Sequence, residues 1–342
     1  MSSDEFKKLL EMLNIKKFNS ETKCWLVRCE KHSRYYDNFK EYGIAAIGHI
    51  DALGYKSVDD FLVNPMDAEI KLTERIASQT GKDKTSAKRT AKVYVNQALT
   101  FIDVIKEDDI IITVGKEKIL VGYATKYIAL DDSELRITGE DLKGKHYNII
   151  MNLSLRRDII WEHEVDKDRL PPSLFKTLMK PQTVAQIKEI HSVLHMVHPM
   201  YIYDNKNFHF SVNINQKDSL NNRYISQLFS MFDEMEYIIK SENINESTYD
   251  DDIACFDDFS LSTRASFMSP GEAWAMLALN YKEMATAIVI YSMIFGNSKL
   301  GFDGIIDKEI RHMIASKLLN KKYKKMKDNL ELEQPSNEIE LK

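Results

Sequence analysis

The sequence predicts an α+β protein, with a small β-barrel surrounded by helices in its first two-thirds and a mainly helical region after it. Three observations carry this expectation. Short β-rich runs and helical stretches alternate irregularly, without the regular strand–helix–strand order of a doubly wound sheet. Two β-rich runs, 109–114 and 118–124, are separated only by Gly115, Lys116 and Glu117, which marks an antiparallel hairpin. Beyond residue 260 the chain reads as two long helices.

The elements follow in order. Phe6, Leu9, Leu10 and Leu13 recur at helical spacing, so an amphipathic helix opens the chain. The run 24–29, CWLVRC, reads as a strand, and 43–50, GIAAIGHI, as a buried strand with close backbone approach at Gly43 and Gly48. Ser57 and Asp67 are the expected caps of two short helices. Ala87, Ala91, Val95, Ala98, Leu99 and Ile102 then mark a helix over about 84–105. After the hairpin, 147–161 reads as one or two strands. Pro171, Pro172 and Pro181 bracket a short helix, and 182–195 and 217–240 read as further helices. The polar, acidic stretch 241–260 is the expected linker. Ser269, Pro270, Gly271 and Glu272 carry helix-start chemistry before an apolar helix to 295. A last helix is expected over 303–327, and a disordered tail over 328–342.

The net charge of the 342-residue chain is −5, so any nucleic-acid contact must come from local patches. One such patch holds Lys71, Arg75, Lys82, Lys84, Lys88, Arg89 and Lys92, whereas Asp250, Asp251, Asp252, Asp257 and Asp258 form an acidic counterpart. Three cysteines, Cys24, Cys29 and Cys255, lack the spacing of a disulfide framework or of a four-ligand zinc site. The charged opening helix has no signal-peptide core, and the apolar run 284–295 is too short to span a membrane. A cytoplasmic protein without a membrane partner is expected.

No phosphate loop, dinucleotide-binding glycine pattern, nucleophile elbow or zinc-protease motif is present, so no catalytic residue is assigned. Glu69 and Lys71 have the minimal spacing of a nuclease carboxylate–lysine pair, but on an apparent helix they read as a solvated face. His191, His195 and His198 fall at helix-like spacing, and His209 reads as an ordinary strand residue. Without a neighbouring carboxylate motif, no metal or cofactor is assigned. Aromatic and basic residues on the β-rich elements are more telling, because a base needs π-surfaces and a hydrogen-bonding edge, and phosphates need cations at the rim. Phosphate contacts are expected from Arg28, Lys82, Lys84, Lys88, Arg89, Arg156 and Arg157.

Several motifs occur together and in order. They are CWLVRCEKHSRYYDNFKEYGIAAIGHID from Cys24, KEDDIIITV over 106–114, KILVGYATKYIAL over 118–130, and RRDIIWEHEVDKDRLPPSLFKTLMKPQTVAQI over 156–187. This series resembles the EVE domain family, part of the PUA-like superfamily and related to the YTH readers of methylated adenine. The resemblance implies a PUA-like barrel over 22–200 with a base pocket drawing on Trp25, Ser33, Tyr35, Tyr36, Tyr123, Tyr127 and Trp161. Where many relatives carry tryptophan, this chain has His49, which changes the π-surface and adds a titratable donor. The expected organisation is a helix at 1–21, the reader domain at 22–200, an extension and acidic linker at 201–260, a helical domain at 261–328 and a tail at 329–342. The expected function is binding of nucleic acid, DNA with a modified base such as methylated or hydroxymethylated cytosine, in prokaryotic anti-phage defence. The alternatives are a modification-dependent nuclease with a C-terminal catalytic site, and a scaffold. An effector protein or a second copy would then meet residues 272–327.

Overall fold

In the computed structural model the described residues are 3–51, 53–140, 146–216, 219–241, 244, 246–267, 271–296 and 308–335. They form a mixed α/β protein of two units, residues 21–190 and residues 1–20 with 191–336. The boundary falls at 190/191 and not at 200, and the opening helix belongs with the C-terminal part.

The 21–190 unit is built on a six-stranded sheet in the order Ile44–Ile47, Leu155–Asp166, Lys118–Leu130, Ile110–Val114, Cys24–Val27, Val184–Ile187. The expected hairpin is present, with Ile110 opposite Tyr123 and Val114 opposite Ile119. All four residues of Cys24–Val27 are buried, as its unbroken apolar run requires of a strand covered on both faces. The sheet has two edges, Ile44–Ile47 and Val184–Ile187, so hydrogen bonds among the described residues do not close it into the expected barrel. The expected helix over 182–195 is in fact the Val184–Ile187 strand followed by the helix Ile190–Val197.

Two antiparallel helices flank this sheet. Pro65–Thr80 is capped by the Asn64 side chain, starts on Pro65 and stops at left-handed Gly81 (φ 66°). Lys84–Leu99 is capped by Asp83, which accepts from Thr85 and Ser86 amides at 3.0 Å. Ala87, Ala91, Val95 and Ala98 form its buried stripe. The helix ends in a widened turn at Thr100–Val104.

The second unit is a sheet with helices, not the mainly helical domain expected. Its strands run Lys16–Phe18, Met200–Tyr203, Asn207–Ile214, Gly271–Ala278, Ser262–Ser266, and Leu332–Glu333 also pairs with Asn207–Ile214. One sheet face, with Ile202, Phe208, Phe210, Val212, Ala273, Ala275 and Leu277, shares a core with the helices Ser3–Met12, Asn222–Lys240 and Tyr281–Phe295. The expected helix over 272–295 therefore divides into the strand Gly271–Ala278 and a helix whose true start is Asn280, closed by a capping box with Glu283. Met284, Ile288, Tyr291 and Ile294 of this helix are buried in that core. The helix expected over 303–327 appears as Lys308–Met313, a widened turn at Ile314–Leu318 and Lys321–Leu330; residues 303–307 lie outside the described residues. Of the expected tail, 332–333 is a strand, and 336–342 lie outside the described residues.

The acidic stretch does not behave as a free linker. Tyr249–Ala254 is a helix with Tyr249 buried. Fully buried Glu236 accepts from the Ser260 amide at 2.7 Å and the Leu261 amide at 3.0 Å, and pairs with Lys240 at 3.0 Å. One carboxylate thus ties the far end of the stretch to the helix Asn222–Lys240. No helix among the described residues is long and apolar enough to cross a membrane.

Candidate functional site

A cavity of about 920 Å³ opens in the 21–190 unit between the loop 28–33, the segment 46–51, the helix Lys84–Leu99 and the turn 179–183. Its volume lies in the range of ligand pockets. The loop is held open against local preference: Glu30, His32 and Ser33 all take positive φ, at 73°, 56° and 58°. Such backbone is costly for residues with a Cβ and persists where surrounding contacts enforce it. Here Ser33 Oγ donates to the Val114 carbonyl at 2.7 Å, and Cys29 Sγ approaches the same oxygen at 3.4 Å.

The inner end of the cavity is polar. His49 stacks on Tyr94 with ring centres 4.4 Å apart and planes 8° from parallel. Its Nε2 lies 2.5 Å from Gln97 Oε1. Burial depresses the His49 pKa, so near neutral pH the ring is uncharged. Nε2–H then donates to Gln97, and Nδ1 is left as an acceptor. Tyr94 and Gln97, at i and i+3, share a helix face and bring ring and amide to the same wall. Asp51 also lines the cavity; it accepts from the Ser154 amide at 3.1 Å, and burial raises its pKa. Gly48 packs closely here: a Cβ would sit 2.6 Å from Asp51 Oδ2 and 2.7 Å from Leu153 Cδ2, so a larger residue would displace these two side-chain ends. Ala46, Ile47, Val114, Leu153 and Met179 supply apolar surface.

Of the eight residues expected to wall a base pocket, the structure brings His49 and Ser33 to this cavity. The others are placed elsewhere. Trp25 is interior, its Nε1 donating to Asp109 Oδ2 at 2.9 Å. Trp161 is interior, its Nε1 donating to the Phe39 carbonyl at 2.8 Å. Tyr35 and Tyr123 are buried as well. Tyr36 lines a second cavity of about 640 Å³ on the other side of the 31–33 loop, and its hydroxyl donates to Glu164 at 3.0 Å. Tyr127 is 61% exposed. Trp25, Tyr123 and Trp161 stand on sheet strands, and packing makes each of them, with Tyr35, core instead of ligand contact.

The expected phosphate contacts divide in the same way. Arg156 is buried and donates to the Leu153 carbonyl and Ser133, with Asp131 at 3.0 Å. Arg157 is buried too, donating to the Thr125, Phe101 and Ile102 carbonyls at 2.8–2.9 Å. Its bond to Thr125 occupies a carbonyl in the irregular stretch between Ala124 and Ile128. Both guanidiniums are structural. Arg28 borders the cavity, but donates to the Leu178, Lys180 and Gln182 carbonyls, fixing the turn that forms one wall. Lys82, Lys84, Lys88 and Arg89 are exposed. Arg89, the near end of the basic stretch, stands one turn, ~6 Å, along the same helix from cavity-lining Val93 and about two turns, ~12 Å, from Gln97. Lys31, His32 and Lys167 add basic groups at the cavity itself.

Residues that the sequence did not single out therefore make up most of the site: Tyr94, Gln97, Asp51, Lys31 and Lys167. The stripe Ala87, Ala91, Val95 already implied that Tyr94 and Gln97 flank the buried face. Nothing local placed His49 beside them. Lys71 is on the exposed face of the helix Pro65–Thr80, where it pairs with Asp67 at 2.7 Å, and Glu69 is partly exposed on the same helix. Comparisons with protein-family models, with curated proteins and with solved structures find no match to this chain.

Proposed function

We propose that the 21–190 unit is a PUA-like, EVE-type nucleic-acid reader that takes one modified base, in DNA, into the cavity walled by His49, Tyr94 and Gln97. The observation that carries this reading is the stacked His49–Tyr94 pair beside a side-chain amide and a carboxylate in a cavity large enough for a base. A π-surface, an acceptor nitrogen and an amide suit a base edge. The ordered motif series across 24–187 supports the same reading. The exposed Lys82–Arg89 stretch supplies the cations that a phosphate backbone requires.

The test is anisotropy titration of the full chain with short duplexes that differ in one cytosine: unmodified, methylated or hydroxymethylated. One modified duplex binds best, and its affinity falls with salt. His49→Ala and Gln97→Ala each weaken binding roughly 5- to 150-fold, the range equivalent to ~1–3 kcal/mol per stacked base, with circular dichroism unchanged. Equal affinity for all duplexes, unaltered in both variants, refutes the proposal.

A further inference from the structure

In the second unit, the sheet face opposite the apolar core carries an aromatic and imidazole cluster. Tyr201 pairs with His209 across adjacent strands, and Ser211 with Trp274, so these side chains share one face. The helix Ile190–Val197 contributes His191 and His195 at i and i+4. One ring nitrogen from each of His191, His195 and His209 lies within 4.8 Å of the others. We propose that His191, His195 and His209 form a binding site for a divalent transition-metal ion of the Zn²⁺ class, with water or an anion in the fourth position.

The donor chemistry supports this in three ways. First, three imidazoles make a ligand set for zinc, nickel or copper, and His₃ is an established open zinc set. Zn–N bonds of about 2.0–2.1 Å place tetrahedral nitrogens about 3.4 Å apart. The His191 and His209 rings, 13° from parallel with centres 5.1 Å apart, rotate out of their stack to close the set around an ion. Second, the outer groups are arranged for ligation. Tyr201 Oη lies 3.0 Å from His191 Nδ1 and 3.1 Å from His195 Nε2. In the tautomers where both rings donate N–H to this phenol oxygen, the opposite nitrogen of each ring is unprotonated and able to ligate. Tyr201 also stacks on His209 at 4.5 Å, and Trp274 on His195 at 4.1 Å. Third, His195 Nδ1 and both nitrogens of His209 are buried without a hydrogen-bond partner among the described residues. Polar atoms in that condition are ones a ligand would satisfy.

Burial holds all three rings neutral, His209 down to about 3 and His191 and His195 below their usual value, which is the protonation state a ligand needs. The charged groups nearest the cluster are Arg264, over the Trp274 ring at 5.3 Å, and Asp204, which acts on His191. Arg264 favours an anionic or hydroxide fourth ligand. His191, the half-buried member, is the side of entry.

The test uses the full chain, stripped with a chelator and titrated with Co²⁺, followed by the visible ligand-field bands of a four-coordinate ion, with Zn²⁺ displacing Co²⁺. One ion binds per chain and raises the melting midpoint. His191→Ala, at a half-buried position, and His209→Phe, a ring-for-ring change, each lower affinity by about 10- to 100-fold or more, as outer-shell changes alone already do. His312→Ala, at an exposed histidine elsewhere, leaves affinity unchanged. A folded wild-type chain without saturable binding, or binding unaltered in both His191→Ala and His209→Phe, overturns the proposal.

Discussion

Trp25→Phe separates two roles for an indole on a strand. If Trp25 walled a base pocket, the change would alter DNA affinity and leave stability alone. Its surroundings set the opposite outcome. Trp25 is 5% exposed, and Asp109, 3% exposed, accepts from its Nε1 at 2.9 Å, from the Lys23 amide at 2.8 Å and from the Lys106 amide at 3.0 Å. One carboxylate thereby joins the start of the Cys24–Val27 strand, the indole and the turn leading into Ile110–Val114. Removing the indole N–H deletes one hydrogen bond to a charged acceptor, worth about 1.5–3 kcal/mol, and leaves a small void that adds about 1 kcal/mol. Against the ~5–15 kcal/mol typical of a domain, a loss of about 2.5–4 kcal/mol lowers the thermal midpoint of this unit by roughly 5–15 °C. The assay is thermal unfolding, with urea unfolding for the free energies, both followed by far-ultraviolet circular dichroism, with Trp25→Phe, Asp109→Leu and the double variant completing a cycle. The double variant should lose less than the sum of the singles. A Trp25→Phe chain with unchanged midpoint and reduced DNA binding refutes this assignment and restores Trp25 to the pocket.

Other consequences are equally direct. Gly122→Ala places a Cβ 2.4 Å from the Ile160 carbonyl and 2.8 Å from Trp161 Cα, both backbone atoms, so a loss of roughly 3 kcal/mol or more is expected in denaturant titration; a loss below about 1 kcal/mol contradicts the close approach. Glu236→Ala removes the acceptor of the Ser260 and Leu261 amides, while Lys240 keeps Asp258 and the Ser260 hydroxyl, so about 1–3 kcal/mol is lost for each amide left unpaired, and limited proteolysis should then cut within 241–260; resistance equal to wild type argues against the tether. In chelator, His209 makes stability depend on pH. Its folded pKa is lowered from 6.5 to about 3, so the unfolded chain alone takes up a proton between those values. Stability is lost as pH falls below 6.5, by about 1.4 kcal/mol per pH unit for one such histidine. Glu272, raised from 4.5 to about 7, acts in the opposite sense over 4.5–7, so the histidine is read as the difference between wild type and His209→Phe. Relative to His209→Phe the wild type loses stability as pH falls below 6.5, and a pH-independent difference shows that His209 does not stay neutral. Asn280→Ala breaks the capping box of Tyr281–Phe295 and costs about 1 kcal/mol in thermal melts, where no change would move the helix start elsewhere.

What the amino-acid order determined by itself was local. The hairpin across Gly115–Glu117, the alanine-rich helix after Asp83 and the CWLV strand follow from periods of two and 3.6 and from caps, which act over a few residues. The strand Gly271–Ala278 was also legible in principle: Ala273, Ala275 and Leu277 alternate with outward residues, but the Pro270–Glu272 start chemistry pointed to a helix. Tertiary structure alone decided which ring meets which. Trp25 and Trp161 become distinguishable from ligand contacts only in the fold, where each is buried with its indole N–H donating to Asp109 or to the Phe39 carbonyl. His49 meets Gln97, 48 residues away, because a strand end and a helix wall pack together. His209 joins His191 and His195 only because an antiparallel pair carries it beneath a helix. Such contacts arise from the burial of whole faces, and the register that aligns two distant side chains is set by the summed packing of the sheet, which no short window of sequence contains.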